Sequence, residues 1–580
     1  MKRDVVILGS GFAGSILARL LATSGRSVTL VERARHPRFA LGESSTPLAA
    51  LALERLAYRY RWRQLADLAA YGRWSRSLPS LRRGLKRGFT FYGHEPHRPF
   101  DPAQRLLVAA SPEDDLADAH WLREDVDAWL VEQAREAGVE VLEECALESA
   151  ELLEPGELLE PGDSLESVDL AAGGLRLHLR HASRSLELRA GFVIDAAGGA
   201  LARALGVPAL QRAPSRLIYT HARGIEDFSH VAQRSTAGNL GEGEVSTWPI
   251  GPYPDHWAAV HHLVEEGWIY VLPFDDGRVS FGWVRPAGAP LPPGGSEDEE
   301  PAAALQRLLR RYPDLHASLG AFEALRPVQA TSFRHRFAAA VDSRALPRYA
   351  LIPQAFCFAD PMFSTGMAWS LLAVERLAAM LSPGVSAEAR AHALARYGDL
   401  LQAEANQVET LIAAAYAAKP SFSRFTALTF LYFAAVSHQE LKQRLIDGVA
   451  PGPSPLDPAH PAWRGFLGAG EPRLEAAFAE AHARLSHESE GLESGASFES
   501  WVTAAIEPFN AIGLADPARR NLYPVDLDAL RQRADRLGLS RPQLEKVLPR
   551  LRGGDFSLAP ELPERRTQGE GGAPTSSAPP

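Results

Sequence analysis

The fold of this chain is decided by the stretch from Val5 to Gly14, which reads VVILGSGFAG. A short β-branched run leads into three spaced glycines, and apolar residues then recur with helical spacing from Ile16 to Leu21. Residues 27–31, which read SVTLV, predict a second strand. Strand, glycine turn, helix and strand within about 30 residues are typical of the dinucleotide-binding half of a Rossmann-type fold.

The glycines have distinct physical roles in binding a nucleotide. Gly9 makes the tight turn, Gly11 lets the backbone approach a pyrophosphate, and Gly14 lets the helix pack closely on the strand. The helix then begins at Phe12 and Ala13, whose N–H groups and dipole favour phosphate. Glu32 ends the second strand, where its carboxylate can accept from ribose hydroxyls. We expect FAD here, because position 32 is acidic and flavoprotein motifs follow.

Composition excludes several classes of protein. The chain has 580 residues and a formal net charge of -10, which argues against general nucleic-acid binding. Cys145 and Cys357 are its only cysteines, so a disulfide framework and a four-cysteine zinc site are excluded. The longest apolar stretch, from Phe425 to Val436, is too short to span a bilayer. We therefore expect a cytoplasmic protein without a membrane span.

Histidines do not predict a metal site. His261 and His262 are adjacent, and His94 and His97 are three apart, but none has a carboxylate or cysteine at ligand spacing. We interpret them as solvated residues of loops or strand ends, and expect no metal.

The pattern along the chain predicts an α/β protein with three parts: a Rossmann-type FAD-binding domain, an antiparallel β-sheet substrate domain and a helical C-terminal region. Runs such as Trp257–Val260, Trp268–Leu272 and Arg278–Trp283 predict the antiparallel strands. The predicted boundaries are 1–210 and 346–385 for the discontinuous FAD domain, 211–345 for the sheet, 386–560 for the helices and 561–580 for a disordered tail.

Four further motifs occur in a fixed order. They are LGESSTP at Leu41–Pro47, Lys86 in GLKRGF, WIYVLP at Trp268–Pro273, and DPMFSTG at Asp360–Gly366. Together with the glycine turn, this set resembles the flavin-dependent halogenases, a tryptophan-halogenase-like group of FAD-dependent oxidoreductases. The resemblance runs from residue 1 to about 385 and is weaker in the helical C-terminal part.

The resemblance implies a reaction. Reduced FAD reacts with O2 to a flavin hydroperoxide, chloride or bromide attacks it, and hypohalous acid is released. A lysine then traps the oxidised halogen and delivers it to an electron-rich small-molecule substrate. Lys86 matches that lysine; the alternative from the residues alone is a surface lysine in a basic run. No second G-x-G-x-x-G pattern follows a strand, so we expect a separate flavin reductase to supply FADH2.

The resemblance also implies roles for other residues. Thr365 and Gly366 match a halide-binding turn beside the flavin, although the same turn can be a helix cap. We expect Gly366 to permit an unusual backbone there. Arg123 matches an FAD-contacting arginine, or else pairs with Asp127 four residues later. Asp360 and Glu43 are candidate FAD contacts.

Some positions depart from the family pattern. Trp268 and Tyr270 match a pair of tryptophans that keep substrate away from the flavin, so Tyr270 alters this substrate gate; strand aromatics can also be core. Pro353-Gln354 replaces a Gly-Asp pair that contacts the ribityl chain. Phe363 precedes the Ser-Thr-Gly turn, as in halogenases of phenolic or pyrrolic substrates. The altered gate keeps two alternatives open: a monooxygenase or alkene reductase of the same fold, and a degenerate flavin-binding protein.

Overall fold

The computed structural model describes residues 2–154, 173–181, 184–238, 248, 250–447, 456–457, 459–486, 495–516, 522–524 and 526–552. The predicted disordered tail at 561–580, and most of residues 151–162, which read ELLEPG twice in tandem, lie outside these residues. None of the described helices is both long and apolar enough to cross a membrane.

The strands are β1 (Lys2–Leu8), β2 (Val28–Val31), β3 (Arg83–Lys86), β4 (Gly88–Gly93), β5 (Arg105–Ala110), β6 (Asp118–Trp121), β7 (Glu140–Leu142), β8 (Cys145–Leu153), β9 (Gly174–His181), β10 (Arg184–Asp195), β11 (Ser215–Arg223), β12 (Ala258–Val264), β13 (Gly267–Pro273), β14 (Val279–Arg285), β15 (Glu323–Ala324), β16 (Gln329–Phe333), β17 (His335–Arg336), β18 (Tyr349–Leu351), β19 (Cys357–Phe358) and β20 (Leu522–Pro524).

The α-helices are α1 (Phe12–Thr23), α2 (Pro47–Arg59), α3 (Arg63–Asp67), α4 (Tyr71–Ser77), α5 (Arg123–Glu136), α6 (Ala200–Ala204), α7 (Phe228–Gly238), α8 (Pro301–Leu309), α9 (Pro313–Leu319), α10 (Pro353–Phe356), α11 (Thr365–Met380), α12 (Ala387–Ala418), α13 (Phe422–Lys442), α14 (Pro472–Ser486), α15 (Gly495–Ile506), α16 (Leu527–Gln532) and α17 (Arg541–Val547).

The seven-stranded sheet is the nucleotide-binding layer. Its order is β7-β2-β1-β10-β9-β8, and β18 also pairs with β10. The strands β7, β2, β1, β10 and β18 are parallel, whereas β9 and β8 extend the sheet antiparallel. The residues of β1 from Val5 to Leu8 are buried, as a strand covered on both faces requires. Helix α1 packs against α5 and α11, which brings the two ends of the FAD domain together.

A nine-stranded sheet forms the second layer, in the order β15-β11-β14-β13-β12-β4-β5-β20, with β16 also paired to β11. The predicted strands around Trp268 and Arg278 form the hairpin β13–β14. The fold class is thus confirmed. The sheet also takes β4 and β5 from residues 88–110, because β12 pairs parallel with β4. The exact domain boundaries stay a prediction.

A buried ion pair fixes the helix that begins at the DPMFSTG turn. Arg376 of α11 donates to Glu404 of α12 at 2.7 Å, and neither side chain is exposed. The same carboxylate accepts from Trp369 Nε1 at 2.7 Å and from the Phe466 backbone N–H at 2.9 Å. With its charge paired and both oxygens hydrogen-bonded, Glu404 ties α12 and the segment at Phe466 to α11.

Loss of one partner of this pair should be costly. We expect Glu404→Ala to lower the free energy of unfolding by about 3–5 kcal/mol, because it leaves the Arg376 charge buried without its partner. Urea unfolding followed by circular dichroism measures the change. The matched control is Glu480→Ala, which removes an exposed i,i+4 pair with Arg484 and should cost at most about 0.5 kcal/mol. Equal effects of the two substitutions would contradict this account.

Candidate flavin and substrate site

A cavity of about 410 Å³ lies between the glycine turn and the DPMFSTG turn. Five predicted residues line it near the first turn: Gly11, Phe12, Ala13, Gly14 and Arg123. Six line it further along: Glu43, Trp268, Tyr270, Asp360, Thr365 and Gly366. The fold thus brings together residues that are more than 350 positions apart in the sequence. We call this space the first cavity.

The glycine turn has the geometry that the sequence predicts. Gly9 has a left-handed backbone with φ of 95°, and a Cβ there would lie 2.5 Å from the Ala196 carbonyl oxygen. A Cβ on Gly14 would lie 2.0 Å from the Gly9 carbonyl oxygen. Among the described residues, no side chain caps α1 at Gly11. The first N–H groups of α1 therefore face the first cavity without a side-chain acceptor, which fits a pyrophosphate.

The Glu32 carboxylate makes more hydrogen bonds within the protein than the sequence predicts. Its carboxylate accepts from the Ser10 backbone N–H at 3.1 Å, from Ser10 Oγ at 2.9 Å and from the Ala34 N–H at 3.0 Å. Arg38 pairs with it at 3.0 Å. Burial acts to raise the pKa of Glu32, but Arg38 and these hydrogen bonds lower it overall. Glu32 therefore fixes the Ser10 turn, and its predicted ribose contact would use a remaining lone pair.

Arg123 makes the predicted pair with Asp127, and its contact with FAD stays a prediction. Its guanidinium forms two 2.8 Å hydrogen bonds with the Asp127 carboxylate, four residues later on α5. It also donates to the carbonyls of Leu41 and Gly42, at 2.8 and 3.1 Å. The guanidinium still lines the first cavity, where a cation beside Gly11 suits an anionic diphosphate.

The DPMFSTG turn holds a left-handed backbone two residues earlier than expected. The left-handed residue is Ser364, with φ of 51°, whereas Gly366 lies within α11. The expectation for Gly366 is therefore wrong; its lack of a side chain instead leaves room for the Gln354 amide, since a Cβ there would lie 2.8 Å from Gln354 Nε2. Ser364 stands at the N-cap of α11, but its side chain accepts no capping hydrogen bond from a described backbone N–H. The helix N-terminus at Thr365 and Gly366 thus opens on the first cavity.

Asp360 is buried at the same turn. Its carboxylate accepts from the Tyr416 hydroxyl at 2.6 Å and from the Met362 N–H at 3.0 Å. Burial raises the pKa of Asp360 to about 7, although these hydrogen bonds act in the opposite direction. Asp360 therefore ties the turn to α12 through Tyr416.

The aromatic strand β13 lines the first cavity, and a histidine that sequence reasoning set aside lies beside it. Trp268 donates from Nε1 to the Tyr416 hydroxyl at 3.2 Å. His261 stacks between Phe91 and Trp268, with ring centroids 4.8 and 5.1 Å away. Burial lowers the pKa of His261 to about 3, so its ring is neutral. The interpretation of a solvated residue is wrong for His261 and His262, because β12 buries both.

No described group of three or more histidine, cysteine, aspartate or glutamate side chains is arranged to hold a metal ion.

Glu43, a predicted FAD contact, pairs with a histidine of the protein. Its carboxylate lies 2.9 Å from His221 Nε2, and both side chains are almost fully buried at the edge of the first cavity. Its neighbour Ser44 also lines this cavity.

Lys86 is fully buried, so the alternative of a surface lysine is wrong. Its Nζ donates to the Ser45 carbonyl at 2.5 Å and lies 4.0 Å from the Phe89 ring centroid. Burial lowers the pKa of Lys86 to about 8, although the charge of Asp118 acts to raise it. Desolvation thus favours the neutral, nucleophilic amine.

A second cavity, of about 660 Å³, is lined by residues next to the contacts of Lys86, although Lys86 is not itself among the described residues that line it. Thr46 and Phe89, which flank the contacts of Lys86, line it together with Tyr432 and Phe433 of α13. Thr365 lines both cavities. Asp118 of β6 also lines the second cavity, and sequence reasoning missed it. The only sequence signal is its position at the start of a strand, which does not reveal its partner.

The residues around the first cavity fit FAD. The uncapped N-terminus of α1 and the guanidinium of Arg123 offer donors and positive charge to a diphosphate, and both line the cavity. Gly11 leaves room for close approach, since a Cβ there would lie 3.2 Å from Arg123 Nη2. The far end is lined by Trp268 and the N-terminus of α11, an apolar and donor-rich setting for a flavin ring.

Comparison with known proteins agrees with this geometry. The family model described as FAD dependent oxidoreductase matches residues 4–343. The chain is 27% identical over 385 residues to monodechloroaminopyrrolnitrin halogenase PrnC of Pseudomonas fluorescens, covering 65% of this chain and 61% of that protein. It is 27% identical over 370 residues to tetracycline 7-halogenase of Kitasatospora aureofaciens, covering 63% of this chain and 60% of that protein. The chain thus spans less than two thirds of each relative.

A solved structure has a similar fold. The halogenase PltM in complex with phloroglucinol and FAD superimposes with a TM-score of 0.73, at 22% identity, over 90% of this chain and 99% of that chain. The predicted resemblance to flavin-dependent halogenases is confirmed by these comparisons.

The raised pKa of Asp360 predicts a pH dependence of stability. The folded state keeps the proton up to about pH 7, whereas an unfolded aspartate loses it near about pH 3.9. Folding therefore takes up a proton between these values, and this residue reduces stability progressively as pH rises through that range. We expect Asp360→Asn to raise the melting temperature of the flavin-free protein, relative to wild type, more at about pH 8 than at about pH 5.

Tyr416→Phe provides a second arm of this test. It removes a hydrogen bond that lowers the pKa of Asp360, so it should extend the pH dependence to higher pH. A melting-temperature difference between Asp360→Asn and wild type that is constant with pH would be incompatible with a raised pKa.

Proposed function

This chain belongs to the FAD-dependent oxidoreductase family, and on that basis we propose that it is a halogenase of a phenolic, pyrrolic or similarly electron-rich small molecule. FAD is its cofactor, and the chain is an enzyme. The observation that carries the proposal is that Lys86 is fully buried and donates to Ser45, whose neighbours Ser44 and Thr46 line the first and the second cavity respectively. One cavity has the features of a flavin site, and the other is large enough for an aromatic substrate.

When bound, reduced FAD with O2 and chloride or bromide supplies hypohalous acid. The N–H groups of Thr365 and Gly366, at the N-terminus of α11, offer a place for the halide, because backbone donors suit an anion. Trp268 and Tyr270 on β13 would keep the substrate away from the first cavity, as the resemblance implies. The N-terminus of α11 would thus serve the cofactor side, and the second cavity would hold the substrate.

Lys86 then transfers the halogen from hypohalous acid to the substrate. Its neutral amine takes the halogen from hypohalous acid with loss of water, and passes it to a ring carbon of the substrate. The lowered pKa supports this role, since only the neutral amine has a lone pair to react. Phe89, 4.0 Å from Nζ, excludes water from the amine.

The second candidate is a monooxygenase or alkene reductase of the same fold. Tyr270 in place of the family tryptophan favours it, because a changed gate could admit substrate to the flavin. The two candidates differ in their need for halide and for Lys86.

The first test is bromination of a simple phenol. Purified protein supplied with FADH2, O2 and bromide should brominate the phenol, and Lys86→Ala should lower the rate by at least about 10²-fold because the carrier amine is lost. FAD binding, measured by fluorescence quenching, should be retained, since Lys86 does not line the first cavity.

The matched control is Lys419→Ala. Burial also lowers the pKa of Lys419 to about 8, but its amine donates to the Glu265 carbonyl at a separate polar pocket. Its bromination rate should stay within about threefold of wild type. Oxygenation that needs no bromide and is unaffected by Lys86→Ala would instead support the monooxygenase candidate.

A second prediction concerns the source of electrons. Because the sequence has no second dinucleotide fingerprint, we propose that a separate flavin reductase supplies FADH2. NADH or NADPH alone should reduce the protein-bound FAD no faster than free FAD, and addition of a flavin reductase should restore bromination. Rapid reduction by a nicotinamide cofactor without the reductase would refute this partner.

A further inference from the structure

Asp118 lies directly opposite Lys86. The short antiparallel pair β3–β6 places the two residues in register, and both side chains are buried. Lys86 donates to Ser45, whose neighbours Ser44 and Thr46 line the first and the second cavity, whereas Asp118 lines the second cavity, which we assign to the substrate. The strand register thus sets Lys86 beside a carboxylate that borders the substrate cavity.

The Asp118 carboxylate is available to a ligand. Within the described part of the chain, no residue donates a hydrogen bond to it. The charged groups that face it are Lys86, Glu440 and Arg444, with Tyr432 also near. Burial raises the pKa of Asp118 to about 7; Lys86 and Arg444 act to lower it, and Glu440 acts to raise it. A buried acceptor of this kind needs a donor from the ligand or from water.

The arginines that line the second cavity are each matched by a carboxylate. Arg73 pairs with Glu54 at 2.5 Å, and Arg444 pairs with Glu54 at 2.6 Å and with Glu440 at 2.7 Å. Arg531 pairs with Glu545 at 2.9 Å. A carboxylic acid would therefore meet Asp118 without a free cation to compensate it, whereas a substrate with a hydroxyl or N–H would supply the missing donor.

We propose that Asp118 accepts the O–H or N–H of a neutral aromatic substrate in the second cavity and takes its proton while Lys86 transfers the halogen. The substrate class is thus a neutral phenol, pyrrole or aniline without a carboxylate. This inference rests on the proposed halogenase function and adds a catalytic residue to it.

In a phenol, the halogen replaces the hydrogen of one ring carbon. The ring carbon bonds to the halogen as the nitrogen–halogen bond of Lys86 breaks, with its electron pair left on nitrogen. The phenol proton moves to Asp118, and its O–H pair forms a C=O bond. The ring C–H proton then leaves to water, water returns a proton to the lysine nitrogen, and Asp118 returns its proton to the oxygen. The halogen is reduced by two electrons and the carbon is oxidised by two.

The test uses a matched pair of probes, resorcinol and 1,3-dimethoxybenzene, with FAD-loaded full-length protein, flavin reductase, NADH, O2 and bromide. Only resorcinol has an O–H to give to Asp118. Asp118→Asn should lower kcat/KM for resorcinol by at least about 10²-fold. It should lower kcat/KM for 1,3-dimethoxybenzene by less than about threefold. The rate with Lys86→Ala is subtracted as the background from hypobromous acid in solution.

The control variant is Asp114→Asn. It removes a carboxylate from the same segment, but Asp114 is exposed and pairs with Arg87 outside the second cavity. Both probes should react as with wild type. Equal loss of both probes with Asp118→Asn would overturn the inference, because it would mean that Asp118 acts only on Lys86 or on the fold. No bromination of either probe by wild type would instead defeat the proposed function, and the inference with it.

A second measurement needs only the wild-type protein. The quantity measured is kcat/KM for resorcinol divided by kcat/KM for 1,3-dimethoxybenzene. Because protonation of Lys86 slows the reaction of both probes equally, it does not change this ratio. Since Asp118 accepts only when ionised, the resorcinol preference should rise by about thirtyfold between about pH 5.5 and about pH 8.5, while phenols, with a pKa near about 10, stay protonated. A ratio that is flat with pH would overturn the inference even if Asp118→Asn fails to fold.

Discussion

The close approach of Gly14 to the carbonyl of Gly9 sets the position of α1 on the parallel sheet. A single Cβ at Gly14 would lie 2.0 Å from that oxygen, so helix and strand can meet only if no side chain is present. This approach aims the N-terminus of α1 at the first cavity. Glu32 then holds the turn through Ser10, and Arg123 lies against Gly11. The diphosphate end of the site is thus rigid before any ligand binds.

The other end depends on α11. The buried pair of Arg376 and Glu404 fixes this helix, and its N-terminus at Thr365 borders both cavities. One helix end can therefore serve a cofactor on one side and a substrate on the other. Lys86 comes from β3, next to the strand that carries Phe89, and it donates to Ser45, whose neighbours Ser44 and Thr46 line the two cavities. This arrangement separates where an oxidant would form from where it would be used, which protects a reactive halogen from water.

Much of the fold and part of the site could be predicted. The glycine turn, β1, β2 and α1 follow from a local pattern whose physical requirements lie within about 30 residues. The pairing of Arg123 with Asp127 follows from helical spacing. The residues from Asp360 to Gly366 were picked out through resemblance, but their geometry was not: Ser364 has the left-handed backbone, and Gly366 leaves room for the Gln354 side chain. The contact between Gly366 and Gln354 joins two separate turns, so no local sequence pattern predicts it.

The sequence by itself determined that this chain has a Rossmann-type FAD site and the motifs of the halogenases, because those features are local. The tertiary structure alone decided that Lys86 is buried, that His261 stacks between Phe91 and Trp268, and that Asp118 faces Lys86. These facts depend on strand pairing between distant segments, and pairing register is set by packing of the whole sheet. The nucleotide unit could therefore be predicted from its glycines, but the chemistry next to it required the fold.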